Sequence, residues 1–466
     1  MVAAEIATKR ITLGCPQGSA CGPVLWNILA DDLLQTELPN GASIMSFADD
    51  TMLMVEASDI ESLQQRANLS LERIVEWGAK VKLQFNQAKT QFMLIHRKRS
   101  LSANLIMSGI QLQEVDRMRY LGVIIDPKLQ WRHHLKHIEQ KAHRLHSMFA
   151  RTASNVWGAP NEAAEVIYRG AIEPALLYAA EVWYEVLDRK WATTLLRRVQ
   201  RLFLLRLCKA YRTVSFDALC VIAKIIPIDL RVRKIKTLAE VKATGLFQEG
   251  NEVHQIQRKQ IKLRHPSKSL PCTIDNNTQE PGRLTVSSEN VMNIFTDGSK
   301  RNQSVGCAFV AYDENCEVYS EQFSLPQRCS IFQAELLAIE KALCFIKRST
   351  LTSVQISTDS LSALQALSDV HTRDPQVQSV QEIIESFSHT ARVTLKWVKA
   401  HTGIKGNDRA DSLAKEAARN GERVEILIPF SYAKERLEIS ITEEWSRQWE
   451  ASASGSATKL FFPSIK

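Results

Sequence analysis

The stretch NIFTDGS (293–299) ends an apolar run on Asp297, and GCAFVAY (306–312) and CEVYSEQF (316–323) follow it closely. These three segments read as strands joined by tight polar turns. Downstream, the periodicity predicts a helix over about 329–348, a strand in SVQISTDS (353–360), and helices over about 360–368 and 375–389. A strand in RVTLKWVKA (392–400) and a helix from about 407 to 420 complete the run. Three hairpin-linked strands followed by alternating helix and strand indicate a mixed α/β sheet.

Four acids in this region stand where acids are structurally out of place. Asp297 and Asp359 each end an apolar strand, the usual position for catalysis in α/β sheets. In FQAELLAIEKALCFI (332–346), Phe332, Leu336, Ile339, Leu343 and Ile346 form one helical stripe. Glu335 falls only about 60° from the centre of that stripe, and Lys341 points the opposite way. Glu335 is therefore expected to lie against the sheet. Asp411 sits in GNDRADSLAKEAA (406–418), a helix with a small-residue face of Ala410, Ala414, Ala417 and Ala418. Asn407 is expected to cap this helix, and Asp408 suits its first turn. Taken singly, each acid has an ordinary reading as a turn former, a cap or a solvated edge. Four semi-buried carboxylates at one place would be prohibitive without cations. With two magnesium ions roughly 3.5–4 Å apart they become a clamp for phosphodiester cleavage.

The order TDGS, QAEL, STDS and then HTGIKGNDRAD resembles the type 1 ribonuclease H family over residues 291–420. The resemblance implies a five-stranded mixed sheet with flanking helices that cuts the RNA strand of RNA–DNA hybrids. It also implies that Asp297, Glu335, Asp359 and Asp411 hold two Mg²⁺ ions, with Mn²⁺ as a substitute. His401, in the H-x-G-x-x-G-N loop, is similar to the family's mobile histidine, which assists proton transfer or product release. Gly403 and Gly406 give that loop freedom. Gly298, Ser299 and Asn407 are expected to contact nucleic acid, since telling RNA from DNA needs the 2′-hydroxyl.

Upstream, SFADDTMLMV (46–55) reads as a hairpin that sets Asp49 and Asp50 together at its turn. With GCPQGSACGPVLWNILADDL (14–33), LQFNQAKTQFMLI (83–95) and YLGVIID (120–126), it resembles the later palm motifs of non-LTR retrotransposon reverse transcriptases. By that match Asp49 and Asp50 are polymerase carboxylates, Gln17 and Gly18 line the template–primer site, and Lys89 lies near the incoming triphosphate. PALLYAAEVWY (174–184) and LCKAYRTVSFDAL (207–219) look like the thumb and connection of the same polyproteins.

The expected fold is therefore multidomain. A partial α+β polymerase palm (1–128) is followed by an α-helical thumb or connection (129–248) and a polar linker (249–290). An α/β ribonuclease H-like domain (291–422) and a helical tail (423–466) complete the chain. The fingers, the strand with the third palm carboxylate, and a Cys/His-rich tail are expected to be missing, which makes the polymerase site a vestige. A working RNA-directed DNA polymerase and a non-catalytic nucleic-acid-binding remnant are the rival readings. All four ribonuclease acids survive in an open frame, which speaks against decay.

Composition sets outer bounds. The 466 residues are 45% hydrophobic, enough for about two to four domains. The net charge of +8 suits a polyanionic partner, and basic residues crowd 129–151, 197–212 and 231–268. RNA–DNA hybrid and other nucleic acid are the expected partners, with no membrane; protein partners are left open. Nine cysteines without a CxxC pair point to reduced thiols. No apolar signal core and no run of roughly 18 apolar residues appear. The expected location is intracellular, in nucleus or cytoplasm. His133, His137, His143 and His146 suggest zinc, but they lack the carboxylate or cysteine of a motif such as H-E-x-x-H.

Overall fold

The structure is a computed structural model that describes residues 18–95, 102–152, 160–259, 270–275, 291–301, 304–314, 316–387 and 391–465. The chain divides into two compact units, residues 1–179 with 185–209, and residues 180–184 with 210–466.

In the first unit, the helix Gly22–Leu34 precedes an antiparallel hairpin of Ala42–Phe47 and Asp50–Val55, closed by the pair Phe47 and Asp50. Trp26 Nε1 donates to the carbonyl of Ala48 at 2.7 Å and pins the turn. The helix Ile60–Val81 begins at Asp59, whose carboxylate accepts from the Ser62 N–H. Its apolar face (Ala67, Leu71, Ile74, Trp77) is buried, as the 3.6-residue spacing requires. Two basic amphipathic helices, Arg132–Thr152 and Lys190–Leu207, pack together.

The second unit is built around a seven-stranded sheet. Its strands are β1 (Cys272–Asp275), β2 (Met292–Arg301), β3 (Ser304–Asp313), β4 (Cys316–Leu325), β5 (Ser353–Thr358), β6 (Arg392–Trp397) and β7 (Glu422–Arg423). Its helices include α1 (Ile331–Arg348), α2 (Leu361–Ser368), α3 (Pro375–Glu385), α4 (Lys405–Asn420) and α5 (Phe430–Ala451). The strand order is β1-β6-β5-β2-β3-β4-β7. The pairs β2–β3 and β3–β4 are antiparallel; β2–β5, β5–β6, β1–β6 and β4–β7 are parallel. The sheet is mixed, as expected, but has seven strands rather than five. The two additions lie at the edges. β7 is two residues long and β1 four, too short for a periodic signal, and each forms only because a longer strand offers a free edge.

Helix α1 starts with a reciprocal capping box between Ser330 and Gln333. It covers one face of β2 and β3, over a core that includes Ile294, Cys307, Phe309, Leu336, Ile339 and Leu343. Helix α4 covers the other face, where Phe295, Ala308 and Val310 meet Ala410, Leu413 and Ala414. Burial on both faces explains why β2 and β3 read as continuous apolar runs rather than alternating ones. The small-residue face of α4 does what its composition implies. At Gly306, a Cβ would stand 2.3 Å from the Ala418 nitrogen, so only glycine permits this approach.

The tract expected as a polar linker (249–290) contains structure. Leu246–Glu249 pairs antiparallel with Glu252–Gln255, and β1 joins the sheet. Ile256 bridges to Ile428, with the Gln257 N–H donating to the Ile428 carbonyl at 2.7 Å. A small core of Val241, Phe247, Ile256, Ile428 and Ala433 lies beneath. Short alternating segments among Pro, Asn and Ser hide this from a window-based reading. Residues 276–290 lie outside the described residues. Among the described residues no helix is long and apolar enough to cross a membrane.

Candidate metal centre

Three of the sequence-selected acids meet. Carboxylate oxygens of Asp297, Glu335 and Asp359 lie within 4.8 Å of one another, and no other cluster of three or more metal-ligating side chains occurs among the described residues. The histidines of the helix Arg132–Thr152 form no such group. Asp297 sits in β2 opposite Ala308, with 5% of its surface exposed. Asp359 follows the last residue of β5, and Trp397 Nε1 donates to its carbonyl at 3.1 Å, tying the β5 and β6 ends together. Glu335 lies one turn into α1 and is 7% exposed, facing the sheet as its place beside the apolar stripe predicts.

Gly298 makes this crossing possible. A Cβ there would come 2.6 Å from the Glu335 nitrogen and 3.0 Å from the Ala334 carbonyl carbon. Its own N–H is directed at the Glu335 carboxylate. Gly298 and Ser299 are both buried, so their surfaces face the protein interior rather than an open groove. Asn407 differs from expectation as well. Helix α4 begins at Lys405 with no side-chain cap, which leaves Asn407 inside the first turn. The side chain, 3% exposed, turns inward instead, and Nδ2 donates to Asp359 Oδ2 at 3.4 Å. A carboxylate at the sheet end competes successfully for the amide that the helix terminus would otherwise use.

Asp411 stands outside the three-residue group but within its field. Its carboxylate pairs with Lys415, one turn along α4. This partner went unnoticed in the sequence, although the Asp-to-Lys spacing of four is the available signal. His401 is exposed, with φ of +55° in a loop that continues to Gly403 at +78°.

The electrostatics record the crowding. Burial, then the charges of Asp359 and Asp411, push the Asp297 carboxyl up to about 8, and Lys415 opposes the shift. Burial and the charges of Asp297 and Asp359 raise Glu335 well above the ordinary carboxylate range. Asp359 is raised by burial, while the Asn407 amide and the His401 charge pull the other way. Glu335 Oε2 is also buried with no hydrogen-bond partner. A buried, unpartnered carboxylate oxygen beside two further carboxylates suits a divalent cation bound through oxygen. Asp297, Glu335 and Asp359 could each supply a ligand, with Asp411 at the margin.

The upstream residues are arranged differently. Asp49 occupies the hairpin turn, Asp50 opens the second strand, and both are exposed. Among the described residues this hairpin is a two-stranded sheet with no third strand beside it. Gly18 and Lys89 are exposed too, Lys89 in the short 3₁₀ turn Gln87–Lys89. Gln17 lies outside the described residues, as do the expected basic residues from 260 to 268.

Comparison with known proteins covers both halves. Residues 289–419 match the family described as RNase H, and residues 3–125 match that described as reverse transcriptase (RNA-dependent DNA polymerase). The chain is 30% identical over 286 residues to a 115 kDa protein of the type-1 retrotransposable element R1DM of Drosophila melanogaster, covering 59% of this chain and 28% of the relative. It is 30% identical over 239 residues to the retrovirus-related Pol polyprotein from type-1 retrotransposable element R1 of Bradysia coprophila, covering 50% of this chain and 24% of that one. The chain thus spans about a quarter of the length of these relatives. Among solved structures, the RNase H1 of the halophilic archaeon Halobacterium salinarum NRC-1 matches at 20% identity and a TM-score of 0.24, over 28% of this chain and 97% of that one. With a reverse transcriptase region followed by an RNase H domain, and relatives that are R1 Pol polyproteins, the chain fits the non-LTR retrotransposon polyprotein family.

Proposed function

We propose that residues 291–422 hydrolyse the RNA strand of RNA–DNA hybrids. The observation that carries this reading is the convergence of Asp297, Glu335 and Asp359 within 4.8 Å, with one oxygen of Glu335 buried and unpartnered. Asp411 is the fourth acid of the site. These four would hold two Mg²⁺ ions, or Mn²⁺ in their place, which when bound supply charge stabilisation at the entering and leaving oxygens of the phosphodiester.

The remaining roles belong to the chain itself. Gly298 N–H fixes the Glu335 carboxylate, and Asn407 orients Asp359. Lys415 supplies the counter-charge that Asp411 keeps in the absence of ligand. His401, held in an exposed loop whose charge reaches Asp359, is placed to pass a proton or assist product release. In this reading Gly298 and Asn407 act from within, as positioning residues, and Ser299 offers its hydroxyl to the sugar once substrate opens the site.

The upstream residues are read as a partial polymerase palm (1–128) and a helical thumb or connection (129–248), with 249–290 as a connection and 423–466 as a tail. An RNA-directed DNA polymerase is the second reading, favoured by the Asp49–Asp50 hairpin. Two exposed adjacent carboxylates make half of such a site, because metals bridging primer and triphosphate need acids from neighbouring strands. One pair of assays on the 466-residue chain tests both readings. With magnesium, a labelled hybrid should be cleaved in its RNA strand, and a primer on an RNA template should not be extended. Uncleaved hybrid would overturn the first reading; template-dependent extension would establish the second.

A further inference from the structure

Helix α1 carries Glu335 one turn from its start, and a buried amide holds that start. Gln333, two residues before Glu335, is 3% exposed. Its Oε1 accepts from the Ser330 N–H at 3.2 Å, which completes the capping box. Its Nε2 donates to the Leu427 carbonyl at 2.9 Å and to Gln257 Oε1 at 3.2 Å. The oxygen and both hydrogens of this amide are therefore engaged, and two of the three partners come from outside residues 291–422.

Gln257 carries the tie onward. Its Nε2 donates to Asp374 Oδ1 at 3.0 Å, and the same oxygen caps α3 by accepting from the Gln376 and Val377 N–H groups. Gln376 Nε2 then returns to the Gln333 carbonyl at 2.9 Å. The bonds close into a ring that joins the starts of α1 and α3 through one upstream residue. The backbone of that residue is itself fixed. The Gln257 N–H donates to the Ile428 carbonyl at 2.7 Å, and the Ile428 N–H donates to the Gln255 carbonyl at 3.1 Å. A second tie runs beside the ring, where Arg328, just before α1, pairs with Glu252 at 2.7 Å. Glu252 is exposed, so this pair contributes little and the ring is the stronger hold.

A cation site works only when its ligand oxygens are held to about 0.5 Å by their supports. One oxygen of Glu335 has no hydrogen-bond partner, so its place depends on where α1 sets its backbone. Given the ribonuclease reading of the four acids, on which this inference rests, we propose that Gln257 is a positioning residue for the metal centre. It fixes the first turn of α1 and with it the Glu335 carboxylate. The tract that reads as a linker is then part of the catalytic unit, and residues 291–422 alone lack a support for their own site. Removing the Gln257 amide leaves one buried N–H of Gln333 without an acceptor, and the first turn of α1 shifts toward water to satisfy it.

The test is manganese binding by the full chain without nucleic acid, read by electron paramagnetic resonance, with Asp297→Asn as the blank. Loss of a direct support of a metal ligand costs roughly 10–100-fold in affinity; Gln257 acts through one further residue, so Gln257→Ala should weaken binding by about 5-fold. Gln257→Glu keeps the volume but sets a carboxylate against Asp374, and should weaken binding as much. The double variant Gln257→Glu, Asp374→Asn again faces a donor with an acceptor, and should return to within about 2-fold of wild type. The magnesium concentration for half-maximal hybrid cleavage should follow the same order, with the rate at saturating magnesium changed less. Variants with normal circular dichroism that lose thermal stability in EDTA yet bind manganese like wild type would overturn the proposal, because the ring would then be a structural tie only. So would a double variant no better than Gln257→Glu. Wild-type binding no stronger than that of Asp297→Asn would overturn the metal reading of the acids and this inference with it, whereas strong wild-type binding that Gln257→Ala leaves unaltered would overturn this inference alone.

Discussion

Two pairs of aspartates are brought together by strands in this chain, and they live in opposite surroundings. Asp49 and Asp50 close a two-stranded hairpin and are open to water. Asp297, inside β2, and Asp359, just past β5, stand where the parallel pairing of these two strands stops, in a seven-stranded sheet, and Glu335 is lowered onto them from α1. Water screens the first pair, so its mutual repulsion is weak. Burial removes that screening from the second, and the Asp297 carboxyl is pushed up to about 8 in consequence. Burial beside like charges leaves these acids two ways to be stabilised, by taking up a proton or by a bound cation.

The sharpest way to break this comparison is Asp297→Asn, which removes a charge at nearly constant volume. Hybrid cleavage should fall by about 10³-fold or more, with circular dichroism unchanged. Retained cleavage would mean that the buried acids are no more chemical than the exposed ones. His401→Ala comes next. Turnover should slow by about 10²-fold while a single-turnover burst stays measurable, because His401 is read as a proton carrier and not a ligand. A loss equal to that of Asp297→Asn would give it a ligand-like role.

Gly298→Ala tests whether the crossing of β2 and α1 sets the site. The added Cβ, 2.6 Å from the Glu335 nitrogen, would press on the backbone of α1 and on the Ala334 Cβ, none of which can swing aside. Overpacking of this kind costs about 1–3 kcal/mol, and it should also weaken stabilisation by magnesium as Glu335 is displaced. A variant with unchanged melting temperature and unchanged magnesium response would show that the helix adjusts freely.

The smallest effect is in the pH dependence of metal-free stability. Folding moves the Asp297 carboxyl from 3.8 to about 8, so between these values the folded state binds more protons than the unfolded one. Its contribution to stability is present at low pH and is lost as pH rises through about 8. In EDTA, Asp297→Asn should therefore gain a few degrees over wild type between about pH 5 and pH 9, and magnesium should erase the gain at the upper end. A flat difference curve would mean that the acids do not repel one another.

Much of the second unit was legible in the residues themselves. The strand runs around Asp297 and Asp359, the stripe that places Glu335 inward, and the alanine face of α4 all depend on near-neighbour spacing. Spacing of that kind is set by the geometry of one helix or one strand. The hairpin at Asp49 and Asp50 was readable for the same reason.

What the tertiary structure alone decided lies where distant segments compete. Asn407 abandons the helix start for Asp359, forty-eight positions away in sequence. β1 exists because β6 offers an edge, and the Ile256–Ile428 bridge joins stretches that each look like loop. The amide ring at the start of α1 needs Gln257, Asp374 and Gln376 together, and none of these signals a partner for Gln333 by itself. Local patterns encode which way a side chain faces along its own element. Which groups meet, and whether water is left between them, depends on long-range packing that no sequence window contains.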